Sequence, residues 1–218
     1  MKKFKVILYV LLGVILTVAL LRFFVVDLLT VPRDENMPTP AKSEHVLVKR
    51  WSYGYRCPWN TRSRIGYKKA EKGDMLAYNI PEKSRNESVD TCQITIGICQ
   101  AAPGDTLWYN NESGQIATKK DTKKGFTHLL TVPAKGAKVK ITKDNIRFYE
   151  YTIGLYEPEK ADIVNDSLCV SGKMVDHYTF QQDYYWVSSG NQKNLNDSRT
   201  YGFIPMRYVI GKVRELNF

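Results

Sequence analysis

Few side chains in this sequence have both the type and the spacing that chemistry needs. Lys42-Ser43 puts an amine beside a hydroxyl, and Ser188-Ser189 offers two hydroxyls, so either pair could supply a nucleophile. His45, His128 and His177 are scattered, with no Ser/His/Asp pattern around them, and each reads as a surface or strand residue. Cys57, Cys92, Cys99 and Cys169 form no Cys-x-x-Cys pair and no Cys/His cluster, so no metal site is expected and no cofactor is implied. Free buried thiols are the simplest reading of the four. Outside the cytoplasm, three disulfide connectivities would be open to them. Cys92 and Cys99 would face opposite sides of an uninterrupted strand and could pair only across a turn.

The stretch that most invites a reactive group lacks one. Residues 31–40 read Val-Pro-Arg-Asp-Glu-Asn-Met-Pro-Thr-Pro. The flanking prolines make this backbone stiff and extended rather than helical. It follows an apolar run and precedes a β-rich region, a good place to present chemistry to something lying in a bilayer. Yet between Pro32 and Pro38 there is no Ser, Thr, Cys or His.

The elements that would position such a segment can be taken from the N-terminus. Residues 1–5 carry three lysines, and residues 6–26 are apolar apart from Arg22. As a helix the run would be about 31 Å long, matching a hydrocarbon core of about 30 Å. No small-x-small cleavage site follows it, so an uncleaved transmembrane signal anchor is expected rather than a signal peptide. Lysines before it and a single arginine at its far end put residues 1–5 in the cytoplasm and residues 27–218 outside, in a cell membrane protein with one span. Beyond it, strands are expected at 46–51, 75–79, 93–100, 106–109, 183–187 and 208–213. Turns at Lys72-Gly73-Asp74 and Pro103-Gly104-Asp105 punctuate them. Residues 115–182 differ in texture. Their Lys-Lys clusters, glycines and prolines mark short strands, with one short helix near 142–147. The fold class expected is mainly β: an antiparallel core with a smaller β lobe inserted at about 115–182, behind one transmembrane helix.

Composition narrows the partners. The chain of 218 residues is 43% hydrophobic and 12% aromatic, with 14 tyrosines, enough for a sizeable β core. Its net charge of +10 comes from dispersed lysines, with no zinc-finger spacing or RNP-type motif, so nucleic acid is not an expected partner. Membrane lipid, met through the N-terminal helix, is the more economical explanation.

The order of motifs resembles the signal peptidase I family, membrane-anchored serine/lysine peptidases of the S26 type that remove signal peptides. Arg22-Phe23-Phe24-Val25-Val26 followed by Val31-Pro32 is similar to the approach to the family's nucleophile, and Pro38-Thr39 to the Pro-Thr just after it. Residues 46–54 resemble its first core strand, Gly73-Asp74 its Gly-Asp turn, and Pro103-Gly104-Asp105 its Pro-Gly-Asp turn. Residues 194–205, with Asp197, Ser198, Arg199 and Gly202, resemble its late signature Asn-Ser-x-Asp-Ser-Arg-x-x-Gly-x-(Val/Ile)-Pro. Val209-Ile210-Gly211-Lys212 resembles the closing Val-Gly-Lys. The resemblance implies a signal-peptidase-like β fold and signal-peptide recognition. Its structural signature here is Pro38, Thr39, Gly104, Asp105, Asp197, Arg199 and Gly202.

The departures fall on the reacting groups. The family's nucleophilic serine aligns with Glu35, or with Asn36 if one gap is allowed. The serine that helps bind the oxyanion aligns with Arg33. Counting back from Asp105, the general-base lysine aligns with Gly97, and the serine that positions it aligns with Leu195. The dyad needs a hydroxyl and a lysine kept neutral by burial. Gly97 offers no proton acceptor, and a carboxylate at position 35 would oppose a developing oxyanion. No catalytic set is intact. The expectation is therefore a binding or regulatory pseudopeptidase, partnered by signal peptides, preproteins or an active signal peptidase. The alternative is an active signal peptidase I with relocated catalytic residues.

Overall fold

The computed structural model describes residues 2–24, 26–30, 45–57, 60–81, 93–110, 112–113, 115–117, 119–190 and 195–215. The apolar N-terminal run forms helix α1, Lys2–Phe24. Side chains are described along residues 3–18 of it, and its large apolar ones, from Phe4 to Val18, are exposed. Among the described residues no helix is long and apolar enough to cross a membrane.

Strands β1 (Val26–Thr30) and β2 (His45–Lys49) follow as an antiparallel pair. Val46 and Val48 are fully buried while Leu47 and Lys49 are half-buried, the alternation a sheet imposes. The strand expected at 46–51 stops at Lys49, because residues Arg50–Tyr53 tighten into a 3-10 turn that buries the Tyr53 ring. Next come β3 (Tyr55–Cys57), β4 (Asn60–Ile65), β5 (Met75–Asn79), β6 (Ile94–Ala101), β7 (Thr106–Tyr109), β8 (Ile116–Ala117), β9 (His128–Thr131) and β10 (Lys138–Lys140).

Helix α2 spans Ile146–Tyr156. Thr142 to Asn145 form its entry turn, where the Asn145 side chain accepts from the Thr142 N–H at 2.8 Å. The helix thus starts where the short one was expected to end, and it is longer. Its Ile, Phe, Tyr and Thr residues favour strands when weighed singly. The spacing of Ile146, Tyr149, Ile153 and Tyr156 is nonetheless that of one helical face, and all four are buried. The remaining elements are β11 (Ala161–Val164), β12 (Ser167–Val170), β13 (Lys173–Val175), β14 (His177–Thr179), β15 (Tyr184–Ser188), α3 (Ser198–Tyr201), β16 (Ile204–Pro205) and β17 (Val209–Glu215).

The strands make a mainly antiparallel β protein. The largest sheet runs β1-β2-β17-β5-β6-β15-β16, and smaller sheets are β3-β4, β8-β7-β9, β10-β14 and β11-β12-β13. The middle of the large sheet is buried on both faces, so β15 reads as an unbroken run, Tyr184-Tyr185-Trp186-Val187, rather than an alternating one. Tyr109, Phe148 and Trp186 meet edge to face or tilted, and Tyr149 stacks on Phe203 at 6.0 Å. Through these rings α2 and the small sheets share one core with the large sheet. A smaller apolar cluster, with Val46, Val48, Ala77, Ile96, Ile210 and Val213, packs separately.

Candidate active-site region

β6 carries Gly97 between β5 and β15, with Gly97 opposite Leu76 on β5. The glycine is buried, and there is no room for a side chain. A Cβ at this position would lie 2.5 Å from Val187 Cγ1, 3.0 Å from the Ser188 carbonyl oxygen and 3.2 Å from Tyr78 Cε1. These neighbours are an isopropyl group, a backbone acceptor and an aromatic ring, and none of them takes a proton at neutral pH. The Tyr78 hydroxyl donates to the Asn196 carbonyl at 2.7 Å. Burial pushes that hydroxyl well above its ordinary pKa, so it stays protonated. Sequence reasoning did not single out Tyr78 or Val187. Tyr78 lies on the neighbouring strand and Val187 far along the chain, and only strand pairing brings both to Gly97.

The loop behind β15 is held by charge. Asp197 is fully buried and caps α3. Its carboxylate accepts from the Ser189 N–H at 2.8 Å, from the Arg199 N–H at 2.9 Å, and from the Arg199 guanidinium at 2.8–3.1 Å. Arg199 also donates to Ser189 Oγ at 3.1 Å. Register shifts in β15 between Trp186 and Val187, and the displaced Val187 N–H donates to Ser198 Oγ at 2.8 Å. Gly202 ends α3 at φ 66, a conformation that side chains rarely adopt. Leu195, aligned with the lysine-positioning serine, is 56% exposed.

At the other end of β6, Gly104 has φ 97 in the turn before β7. Asp105 closes that turn, accepting from the Ala102 N–H at 2.9 Å. Asp74 plays a similar part before β5. It accepts from the Glu71 N–H at 3.1 Å, from the Tyr53 hydroxyl at 2.8 Å and from Lys212 on β17. Burial pushes the Asp74 carboxyl up, but these three donors outweigh it and hold it below the ordinary carboxylate value.

Several other reactive side chains have structural partners. Ser189 is buried against Asp197 and Arg199, and Ser188 Oγ accepts from the Gly190 N–H at 3.2 Å. Cys99 is free, and burial, with the Asp74 and Asp105 charges adding to it, pushes its thiol up to about 12, too high for a nucleophilic thiolate at neutral pH. Cys169 is also free. His177 pairs with Asp176 at 2.9 Å, on the surface. Among the described residues there is no cluster of His, Cys, Asp and Glu that could hold a metal. Arg33, Glu35, Asn36, Pro38, Thr39, Lys42 and Ser43 lie outside the described residues, as does Cys92.

An antiparallel core that carries the Asp197–Arg199 loop and the Gly104-Asp105 turn beside a buried strand is an arrangement in which a peptidase site could be built. The family model for signal peptidase, peptidase S26, matches residues 4–217. The chain therefore belongs to the signal peptidase S26 family. It is 22% identical to a signal peptidase I of Buchnera aphidicola subsp. Baizongia pistaciae, over 92% of this chain and 72% of that one. It is 23% identical to a signal peptidase I of Pseudomonas aeruginosa, over 91% and 67%. A probable signal peptidase I-1 of Synechocystis is 25% identical over 88% and 71%. A solved signal peptidase I from Enterococcus faecalis aligns over 67% of this chain and 98% of its own, with 15% identity and a TM-score of 0.29, a likeness too slight to bear on the fold.

Proposed function

We propose that this chain is a membrane-anchored member of the signal peptidase family that holds an extended peptide without cutting it. The observation that carries the proposal is Gly97. The position aligned with the general-base lysine has no side chain, and Val187, Ser188 and Tyr78 occupy the space one would need. Glu35 or Asn36 at the nucleophile position, Arg33 at the oxyanion position and Leu195 at the lysine-positioning site extend the same loss. Losing one member of a nucleophile–base unit removes most of the rate, and further losses add little.

Recognition needs less than catalysis. β1 is the outer strand of the large sheet, and an extended segment can add to such an edge through backbone hydrogen bonds alone. Signal peptides and preproteins are the partner class this favours. An active signal peptidase working beside the chain is a second partner, since the family assignment bears equally on it. In this proposal the apolar run of residues 6–26 anchors the chain in the cell membrane, with residues 1–5 in the cytoplasm and the β domain outside, a reading that rests on the sequence: the length of the run and the lysines before it.

The deciding experiment is incubation of the detergent-solubilised chain with a preprotein, read by mass spectrometry, alongside photo-crosslinking to the same preprotein. The expected result is a crosslinked, uncleaved preprotein. Cleavage at one site that disappears in a Ser43→Ala or Lys42→Ala variant would sink the proposal in favour of an active enzyme with relocated residues.

A further inference from the structure

A cavity of about 360 Å³ opens where the C-terminal end of α2, Tyr67 beyond β4 and the 3-10 turn Met206–Tyr208 come together. It is separate from the Gly97 region. Asp183 in its wall precedes β15, and Val187 lies further on, about 13 Å along the strand.

The charged groups of the wall are not alike. Glu157 and Asp183 are 3% and 5% exposed. Both are supplied with donors from within the fold. The Tyr184 hydroxyl at 2.6 Å and the Gln181 N–H at 3.0 Å serve Glu157. The Tyr67 hydroxyl and the Lys135 N–H, the latter at 2.8 Å, serve Asp183. Arg207 has no such supply. Its guanidinium lies 5.8 Å from the Tyr156 ring and 5.3 Å from the Tyr208 ring, and its buried Nε has no acceptor. Arg207 is half-buried, and a guanidinium with an unpaired nitrogen in a cavity wall calls for an explanation. The guanidinium is a planar fork of donors, the geometry that matches a carboxylate, and it sits in the cavity wall.

We propose that this cavity binds a carboxylate-terminated ligand of amino-acid to dipeptide size, the carboxylate pairing with Arg207 and the amine or amide N–H turned towards Glu157 and Asp183. The volume sits at the small end of the range for small-molecule sites, roughly 300–1,000 Å³. Lys135 and Arg64, also in the wall, add positive charge to the site. A phosphate dianion fits less well, because two carboxylates share the wall with the guanidinium. The same end-group could belong to a free dipeptide or to the C-terminus of a polypeptide.

The test uses the full chain in lipid nanodiscs, titrated calorimetrically with the dipeptide Ala-Leu, with its C-terminal amide, and with a longer peptide ending in the same two residues. The expected result is saturable binding of Ala-Leu, at least about tenfold weaker for the amide, and a similar loss in Arg207→Gln at an unchanged melting temperature. Binding of the longer peptide would support the proposal with a polypeptide C-terminus as the source, and its exclusion would support it with a free dipeptide as the source. No saturable binding of Ala-Leu up to about 10 mM would overturn the proposal. So would equal affinity for acid and amide, or undiminished binding by Arg207→Gln. If that variant melts early, the acid–amide comparison on the unaltered chain decides.

Discussion

Asp197 and Gly97 lie on either side of β15 and represent two kinds of family position. Asp197 is a buried charge on which the fold depends: two backbone N–H groups and a guanidinium converge on it. Gly97 is a place where the fold leaves no room for a side chain, with Val187 and Tyr78 closing the space. A carboxylate that satisfies buried donors cannot be dropped without leaving them unpaired. A side chain whose work is chemical can be dropped, and its volume refilled, at little cost to folding. In the proposed function, the same contrast lets a chain keep the Asp-Ser-Arg loop and the Pro-Gly-Asp turn while glycine and leucine stand at positions 97 and 195.

The largest effect expected from this contrast is at Asp197. Asp197→Ala would remove the carboxylate shared by the Ser189 N–H and an Arg199 guanidinium that is 16% exposed. Breaking a buried pair by removing one partner costs about 3–5 kcal/mol. Chemical denaturation in detergent should show that loss. A change below about 1 kcal/mol would mean that the loop is not held by this carboxylate.

Gly97 comes next. Gly97→Ala forces a methyl group against Val187 Cγ1 and the Ser188 carbonyl, and overpacking of this kind costs about 1–3 kcal/mol. Val187→Ala alone removes buried methyl groups and costs a comparable amount through the cavity it leaves. The double variant should lose clearly less than the sum of the two, since each change relieves the other. Strict additivity would show that the space beside Gly97 is not closed by Val187.

Asp74 tests whether the first kind of position also governs the response to pH. Its carboxyl is held below the ordinary value, so the folded state binds fewer protons there than the unfolded chain. The stability it contributes is fully present above the unfolded carboxylate value, near pH 4, and is lost as the pH falls through the folded value. Thermal melts should show Asp74→Asn destabilised by about 1–3 kcal/mol at pH 7, with the gap narrowing in acid. A gap that stays constant down to pH 2 would remove Asp74 from the framework.

How much of this could be read in the sequence depends on the range of the interaction responsible. β5 and β7 coincide with the stretches expected at 75–79 and 106–109, because local turns at Gly73-Asp74 and Gly104-Asp105 mark their starts. The family was legible for the same reason, since its motifs are short and lie in order. α2 was misplaced because its aromatic and β-branched residues suggest a strand unless their helical spacing is counted. The Asp197–Arg199 pair needs only a spacing of two residues, and it forms. The closing of the space beside Gly97 could not be foreseen. It requires β5, β6 and β15 to be neighbours, with a register shift placed beside Val187, and no local pattern encodes either.

The smallest effect is the sharpest statement of the contrast. By the motif resemblance Leu195 falls where the family has a serine that positions its lysine, so Leu195→Ser places a family residue where the proposed function has nothing for it to position. The side chain is 56% exposed, beside Asn196, whose carbonyl accepts from Tyr78. Substitutions at exposed sites away from caps and networks usually stay within about 0.5 kcal/mol. Leu195→Ser should therefore leave the melting temperature almost unchanged and add no preprotein cleavage. If it instead stabilised the chain by a kcal/mol or more, the new hydroxyl would have found a buried partner. The loop would then keep a polar socket for that residue, and the division between packed framework and vacated chemistry would fail where it costs least to examine.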